Sequence, residues 1–254
     1  MNFVNLKIEQ EIATVTLNRP EKHNSFNYGM LKELKQIFTE LAEDKQVRAA
    51  ILTGAGEKSF CSGVDLNEMV AFSSMEQARD FALLLEDANM ALLQFPKPLI
   101  AAMNGHAFGG GYGLASSADV RLLTPEAKIG FPAARLGAVL PMGCTLRLNA
   151  IIGSGHSREL LLTGRTVDAQ EARRIGLVHF IVPRENLMAE AKRITAEILQ
   201  GSDTAIEMTK QMVNQELLSQ IRQYSPMAAE NFAYLAFTDD WKNRIRAFVG
   251  TKEQ

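Results

Sequence analysis

The chain has 254 residues, 46% of them hydrophobic and 22% charged, with a formal net charge of −2. That length suits one large domain, or a domain with an extension, and the near-neutral balance leaves no electrostatic footprint for nucleic acid or an anionic membrane. No apolar run approaches a bilayer span, "MNFVNLKIEQ" lacks a signal peptide's apolar centre, and Cys61 and Cys144 lie too far apart in sequence to imply a disulfide framework, so a soluble cytoplasmic protein is expected.

"VNLKIE" and "IATVTLN" read as strands joined by the polar "QE" turn, and Pro20 closes the hairpin. "YGMLKELKQIFTELAED" carries leucine, isoleucine and phenylalanine at helical spacing. "VRAAILTG" is a short apolar strand, "SMEQARDFALLLEDANMALLQF" a long amphipathic helix stopped by "PKP", and "LIAAMNG" a second buried strand. A triple glycine and a helix follow, then the short strands "DVRLLTP" and "AKIGF". From about Gly143 the pattern is helical, through "TLRLNAIIG", "SRELLLTG", "DAQEARRIG" and "LMAEAKRITAEILQG", interrupted only by "LVHFIV". Alternating strand and helix predicts a layered α/β core with mostly parallel strands and a helical C-terminal region.

"MNGHAFGGGYGLASSAD" places bare backbone at a helix start. The first amides of a helix lack internal partners and carry the positive end of the peptide dipoles, and glycine lets a ligand oxygen approach them. Such a site suits an anion, or a carbonyl that becomes anionic during reaction. Close strand–helix packing or a tight turn explains the same glycines equally well. G-x-G-x-x-G is not completed, because Leu114 and Ser116 stand at its last position in the two possible frames, and "GAGEKS" lacks the Walker order. A second strand–loop–helix passage, "TGAGEKSFCSGVDLNEM", sets Gly63 in a tight turn, Asp65 as a helix N-cap and Glu68 in the first turn. Two such loops are able to converge and aim one amide apiece at a single oxygen.

These segments resemble the crotonase, or enoyl-CoA hydratase/isomerase, superfamily. "LNRPEKHNSF", "FCSGVDLNEM", "PKPLIAAMNGHAFGGGYGLASSADVRL", "LTGRTVDAQEARRIGLVHFIVP" and "TDDWKNRIRAFV" match its landmarks in order over nearly the whole chain. The resemblance implies an α/β spiral core of repeated ββα units over residues 1–195 and a helical oligomerisation region over 196–254, assembled as a homotrimer or a dimer of trimers. It implies an acyl-CoA thioester as ligand, with coenzyme A entering as part of the substrate and no tightly bound cofactor. Its oxyanion hole maps to the backbone amides of Val64 and Gly110. Lys22, His23 and Asn24 match the segment at the adenosine end, and Cys61 and Ser62 the pantetheine wall. Gly63, Asp65, Leu66, Gly109, Gly113, Ala133 and Met142 count among its substrate-contacting positions. Phe248 matches an aromatic that a neighbouring subunit lays near the CoA, or else belongs to a helix core; the lysine that often follows is replaced by Thr251.

Hydratases of this family use two glutamates, and some isomerases place an acid farther along; here the three positions hold Gly113, Ala133 and Met142, none able to carry a proton. His106 is the candidate acid/base by its ordinary pKa, with a hydrogen-bonded loop histidine as the alternative. Tyr112 and Ser116 flank the first empty position, Ser116 either facing the pocket or packed. Arg135 either binds a carboxylate on the acyl group or forms a surface salt bridge. Asp119 reads as structural and Glu126 as exposed. Four scattered histidines give no metal-ligand spacing, and "GSGHS" is no nucleophile elbow. The expectation is an acyl-CoA enzyme that stabilises a thioester enolate, isomerase-like because isomerisation needs one proton shuttle rather than two. The rivals are malonyl-type decarboxylation, thioester hydrolysis, and a non-catalytic acyl-CoA-binding subunit.

Overall fold

The structure, a computed structural model, describes residues 2–250, with side chains as far as Phe248. β1 (Val4–Glu9) and β2 (Ile12–Leu17) form the expected hairpin, Gln10 and Glu11 both turning through positive φ. Asn27 caps α1 (Tyr28–Glu43) by accepting the Met30 N–H, and the helix returns the chain to β3 (Ala49–Gly54). Three similar turns then follow. The first comprises β3, β4 (Ser59–Cys61), α2 (Leu66–Val70) and α3 (Met75–Leu93); the second β5 (Leu99–Met103), β6 (His106–Phe108) and α4 (Gly110–Ser116); the third β7 (Val120–Leu123), β8 (Lys128–Gly130), a 3-10 turn over Pro132–Leu136, and α5 (Met142–Thr163).

Each turn gives its first strand to a large sheet of order β1-β2-β3-β5-β7-β10 and its second to a small sheet of order β4-β6-β8-β9. β9 (Thr166–Asp168), α6 (Ala169–Arg174), β10 (Phe180–Ile181) and α7 (Leu187–Ile198) complete this spiral. Apart from the β1–β2 hairpin and the β8–β9 edge, every strand pair is parallel. β3 and β5 are buried at every residue because both faces of the large sheet are covered. Ala50 and Leu52 point to the side of Leu34 and Phe38 on α1, whereas Ile51 and Ile100 point to Leu187, Ala191 and Ile194 on α7.

The expected boundary after residue 195 falls in the last turn of α7, which packs on β3, β5 and β7. α8 (Asp203–Ala236), capped by Ser202, leaves the sheet and lies along α3, and α9 (Asp239–Gly250) packs on the Pro132–Leu136 turn and α2. Among the described residues no helix is long and apolar enough to cross a membrane. Three strands went unread in the sequence, β4, β6 and β9, each of three residues. The two helices expected after Gly143 form one element, α5, broken at Gly153 where φ is 75° and ψ 160°.

β10 is tied to β7 through His179, which donates its N–H to the Arg121 carbonyl and accepts the Arg121 N–H at Nδ1, 3.0 Å away. Burial, then Arg121 and Arg173, push its pKa from 6.5 down to about 4. The native imidazole resists a proton that the unfolded one accepts, so its contribution to stability is complete above pH 6.5 and lost as pH falls through about 4. The melting temperature should fall across that window, and His179→Asn, whose Oδ1 can keep accepting from Arg121, should flatten the fall.

Candidate active site

β4 and β6 lie side by side in parallel, Ser59 opposite His106 and Cys61 opposite Ala107, so the loops that leave them run together. Gly63 turns at φ +92°, where a side chain would be strained, and a Cβ there would lie 2.9 Å from the Phe108 carbonyl oxygen, 3.6 Å from the Gly110 nitrogen and 3.8 Å from that of Gly111. The two loops therefore meet. Phe26 forms a parallel bridge with Val64, donating its N–H to the Gly63 carbonyl (2.9 Å) and accepting the Asp65 N–H (3.0 Å). In such a bridge the residue between the two bonded neighbours turns its own N–H away from the partner strand, and Val64 lines the cleft. Gly110 opens α4, and its amide has no carbonyl one turn earlier to bond.

Each glycine of the triplet has its own reason. Gly109 takes φ +51° to make the turn; a Cβ on Gly110 would lie 2.6 Å from Cζ of Phe26; one on Gly111 would strike the Cys61 carbonyl. Close packing and an open helix start, set as alternatives by the sequence, coexist.

The cleft has a volume of about 830 Å³. Its lining includes the polar Lys22, His23, Ser59, Ser62 and His106 and the apolar Met69, Leu85, Leu140, Phe232 and Ile245. Gly63, Val64, Asp65, Leu66, Gly109, Gly110, Ala133 and Phe248 also line it, so most of the expected site residues come together. Phe248 does so from its own chain, on α9 and 38% exposed, rather than from a helix core. Thr251 lies outside the described residues.

Four expected contacts stand apart from the lining. Asn24 is fully buried; its Oδ1 accepts the Arg19 N–H and its Nδ2 donates to the carbonyls of Ala55 and Ser59, so it fixes the loop in which His23 and Asn24 both adopt positive φ. Cys61 is buried behind the Gly63 turn, and burial pushes its thiol up to about 12. Gly113 is buried against Cys144, whose Sγ occupies the space a Cβ would need. Met142 opens α5 outside the cleft lining.

The candidate proton carriers are each otherwise engaged. His106 accepts the Lys128 N–H at Nδ1 (3.0 Å), and burial, then Lys128, lower its pKa, so the ring is neutral at pH 7 with Nε2 protonated. It shares a strand face with Phe108, ring centroids 5.9 Å apart, sits across from Ser59, and lines the cleft with Lys22 and His23. Tyr112 donates its hydroxyl to the Leu177 carbonyl, and burial pushes it up to about 12. Ser116 is packed, bonded to the Gly113 carbonyl and to Arg147. Arg135 lines the cleft but gives its Nε to the Thr163 carbonyl, not to an acid. Asp119 holds the Leu99 N–H and Lys210, and Glu126 pairs with Arg184.

Behind α4 lies a buried polar group that sequence reading missed. Arg147 donates to Ser116, to Oδ1 of Asn89 (2.9 Å) and to the Gly113 carbonyl, while Glu86 accepts the Gly143 N–H (2.9 Å). The bare Gly143 lets the carboxylate and the guanidinium both approach it: a Cβ there would strike Oε1 of Glu86 and lie 3.0 Å from Nη1 of Arg147. The signal was present, since Glu86 and Asn89 fall on the stripe of α3 that carries Ala82, Leu85 and Leu93. Arg19 was missed too: it pairs with Asp65 at 3.0 Å and donates to the Ser25 carbonyl, bracing the Val64 loop.

A family model described as enoyl-CoA hydratase/isomerase matches residues 7–254. A short-chain-enoyl-CoA hydratase of Clostridium acetobutylicum is 37% identical over 249 residues, covering 98% of this chain and 95% of that protein. A crotonyl-CoA hydratase of Syntrophomonas wolfei is 36% identical over 244 residues, covering 96% and 94%. The crystal structure of an enoyl-CoA hydratase from Bacillus anthracis superposes with a TM-score of 0.81 at 33% identity, covering 98% of this chain and 96% of that one. The chain belongs to the enoyl-CoA hydratase/isomerase family.

The packing of Cys144 against Gly113 makes the first empty acid position costly to refill. Gly113→Glu should lower the unfolding free energy by about 1–3 kcal/mol through overpacking. Adding Cys144→Ala should recover part of that loss in urea titrations.

Proposed function

We propose that the protein holds the thioester carbonyl of an acyl-CoA between the N–H groups of Val64 and Gly110, stabilises the enolate formed there, and moves a double bond rather than adding water. The oxyanion hole takes its donors from backbone alone, so it needs no acidic or basic side chain of its own, and one donor of this kind is worth about 2.7–4 kcal/mol of barrier. The observation that carries the preference for isomerisation is the set Gly113, Ala133 and Met142, none of which exchanges protons. Hydration asks for two positioned proton carriers and isomerisation for one. The apolar lining by Met69, Leu85, Leu140, Phe232 and Ile245 suits a hydrocarbon acyl chain, and Arg135, the cation nearest in sequence to Ala133, gives its Nε to the Thr163 carbonyl. Hydration is the second reading, favoured by the names of the relatives from Clostridium acetobutylicum and Syntrophomonas wolfei.

Self-association belongs to the same proposal. α8 exposes Met208, Met212, Val213, Met227 and Tyr234, apolar surface that a homotrimer, alone or paired into a hexamer, would cover.

A screen of the purified protein against enoyl-, hydroxyacyl- and malonyl-type CoA thioesters, with positional isomers resolved chromatographically before mass spectrometry, separates the reactions. Isomerisation leaves the mass unchanged and moves the double bond; hydration adds a water, decarboxylation loses carbon dioxide, hydrolysis releases free CoA, and binding without turnover marks a non-catalytic subunit. The expected result is an isomerised enoyl-CoA. Gly110→Pro should lower that turnover by about 10²–10³-fold, with circular dichroism and oligomeric state checked because the new ring would also meet Phe26.

A further inference from the structure

Phe26 touches both proposed donors, by two different parts of itself. Its backbone holds Val64 from either side, through the Gly63 carbonyl and the Asp65 N–H. Its ring, fully buried, reaches Gly110: Cζ lies 2.6 Å from where a Cβ on that glycine would stand, so ring tip and glycine backbone are in close contact. The backbone of this residue is itself held, since Arg19 bonds both the Ser25 carbonyl and Asp65. A buried phenylalanine has only two side-chain torsions and no freedom to change length. Val64 and Gly110 sit on separate loops, and Phe26 joins them through a rigid side chain.

We propose that Phe26 is a positioning residue that fixes the separation of the Val64 and Gly110 N–H groups. The proposal rests on the reading of those amides as an oxyanion hole. An ordinary core phenylalanine, when trimmed, lowers stability and leaves turnover of the folded protein alone. A spacer, when trimmed, lets α4 settle toward Val64 and spoils the geometry, and a misplacement near 1 Å is worth about 10²-fold in rate. Phe26→Leu keeps the backbone bonds to Gly63 and Asp65 and withdraws only the ring. Gly110→Ala perturbs the same contact from the other side, pushing a methyl into the ring.

The test uses butyryl-CoA labelled with carbon-13 at its carbonyl, a thioester with no double bond to move. The carbonyl stretch is read by difference infrared spectroscopy on wild type, Phe26→Leu, Gly110→Ala and the double variant, alongside kcat and KM for the best thioester of the screen. Wild type should lower the stretching frequency relative to free ligand. Both single variants should lose most of that lowering, with kcat down about 10- to 100-fold and KM changed by less than about threefold. The double variant should recover kcat severalfold over Gly110→Ala, because the smaller leucine makes room for the methyl. A folded Phe26→Leu with the wild-type frequency and kcat and only a lower melting temperature overturns the proposal and leaves the oxyanion hole standing. If Phe26→Leu does not fold, a wild-type frequency in Gly110→Ala overturns it instead. An unshifted carbonyl in wild type sinks both.

Discussion

The site depends on the pairing of two strands of three residues each. β4 and β6 are parallel neighbours in the small sheet, so the chain leaves both at the same end and enters α2 and α4 side by side. Parallel strands need a crossover between them, and here the crossover is a full turn of the spiral, through α2, α3 and β5. Without that pairing Gly63 and Gly110, 47 positions apart in the chain, would have no reason to touch. Everything downstream, from the positive-φ turn at Gly63 to the open amide of α4, shapes a meeting that topology has already arranged.

In the proposed reading, two tasks are separated around the meeting point. Polarising a carbonyl would be left to main-chain donors. Proton traffic would need side chains, and those nearest α4 are neutral, buried or bonded elsewhere: Cys144 is held up at about 11 by burial, Tyr112 and Ser116 are occupied, and His106 accepts from the Lys128 backbone. The charged residues of this region, Glu86 and Arg147, bond to backbone and amide groups behind the glycine helix. Their buried network braces the start of α5 and the body of α4, and a buried charge that loses its partners is strongly destabilising.

Long or strongly patterned elements were legible in the sequence. β2 alternates, β3 and β5 are short apolar runs, and α1 and α3 carry clear apolar stripes, because packing against two covered sheet faces imposes those patterns. β4, β6 and β9 were not, because three residues are too few for a period of two to show itself. The glycine turns and the Asp65 cap were readable from local chemistry alone. Asn24 and Cys61 fall outside the cleft lining because a motif gives neighbourhood and not side-chain direction: both face inward, Asn24 to stitch its loop and Cys61 beneath the Gly63 turn. Arg147 and Glu86 escaped notice because a charge on an amphipathic helix reads as solvated until its register on the buried stripe is counted.

The cleft is closed by residues made last. Val64 and Gly110 belong to the first half of the chain, whereas Phe232, Ile245 and Phe248 join its lining from α8 and α9. More than a hundred residues of chain therefore separate the two loops from the helices that complete the apolar lining. One cleft thus unites early and late segments, so a change in how α8 and α9 pack would reshape its apolar lining without touching the contact between Gly63 and Gly110.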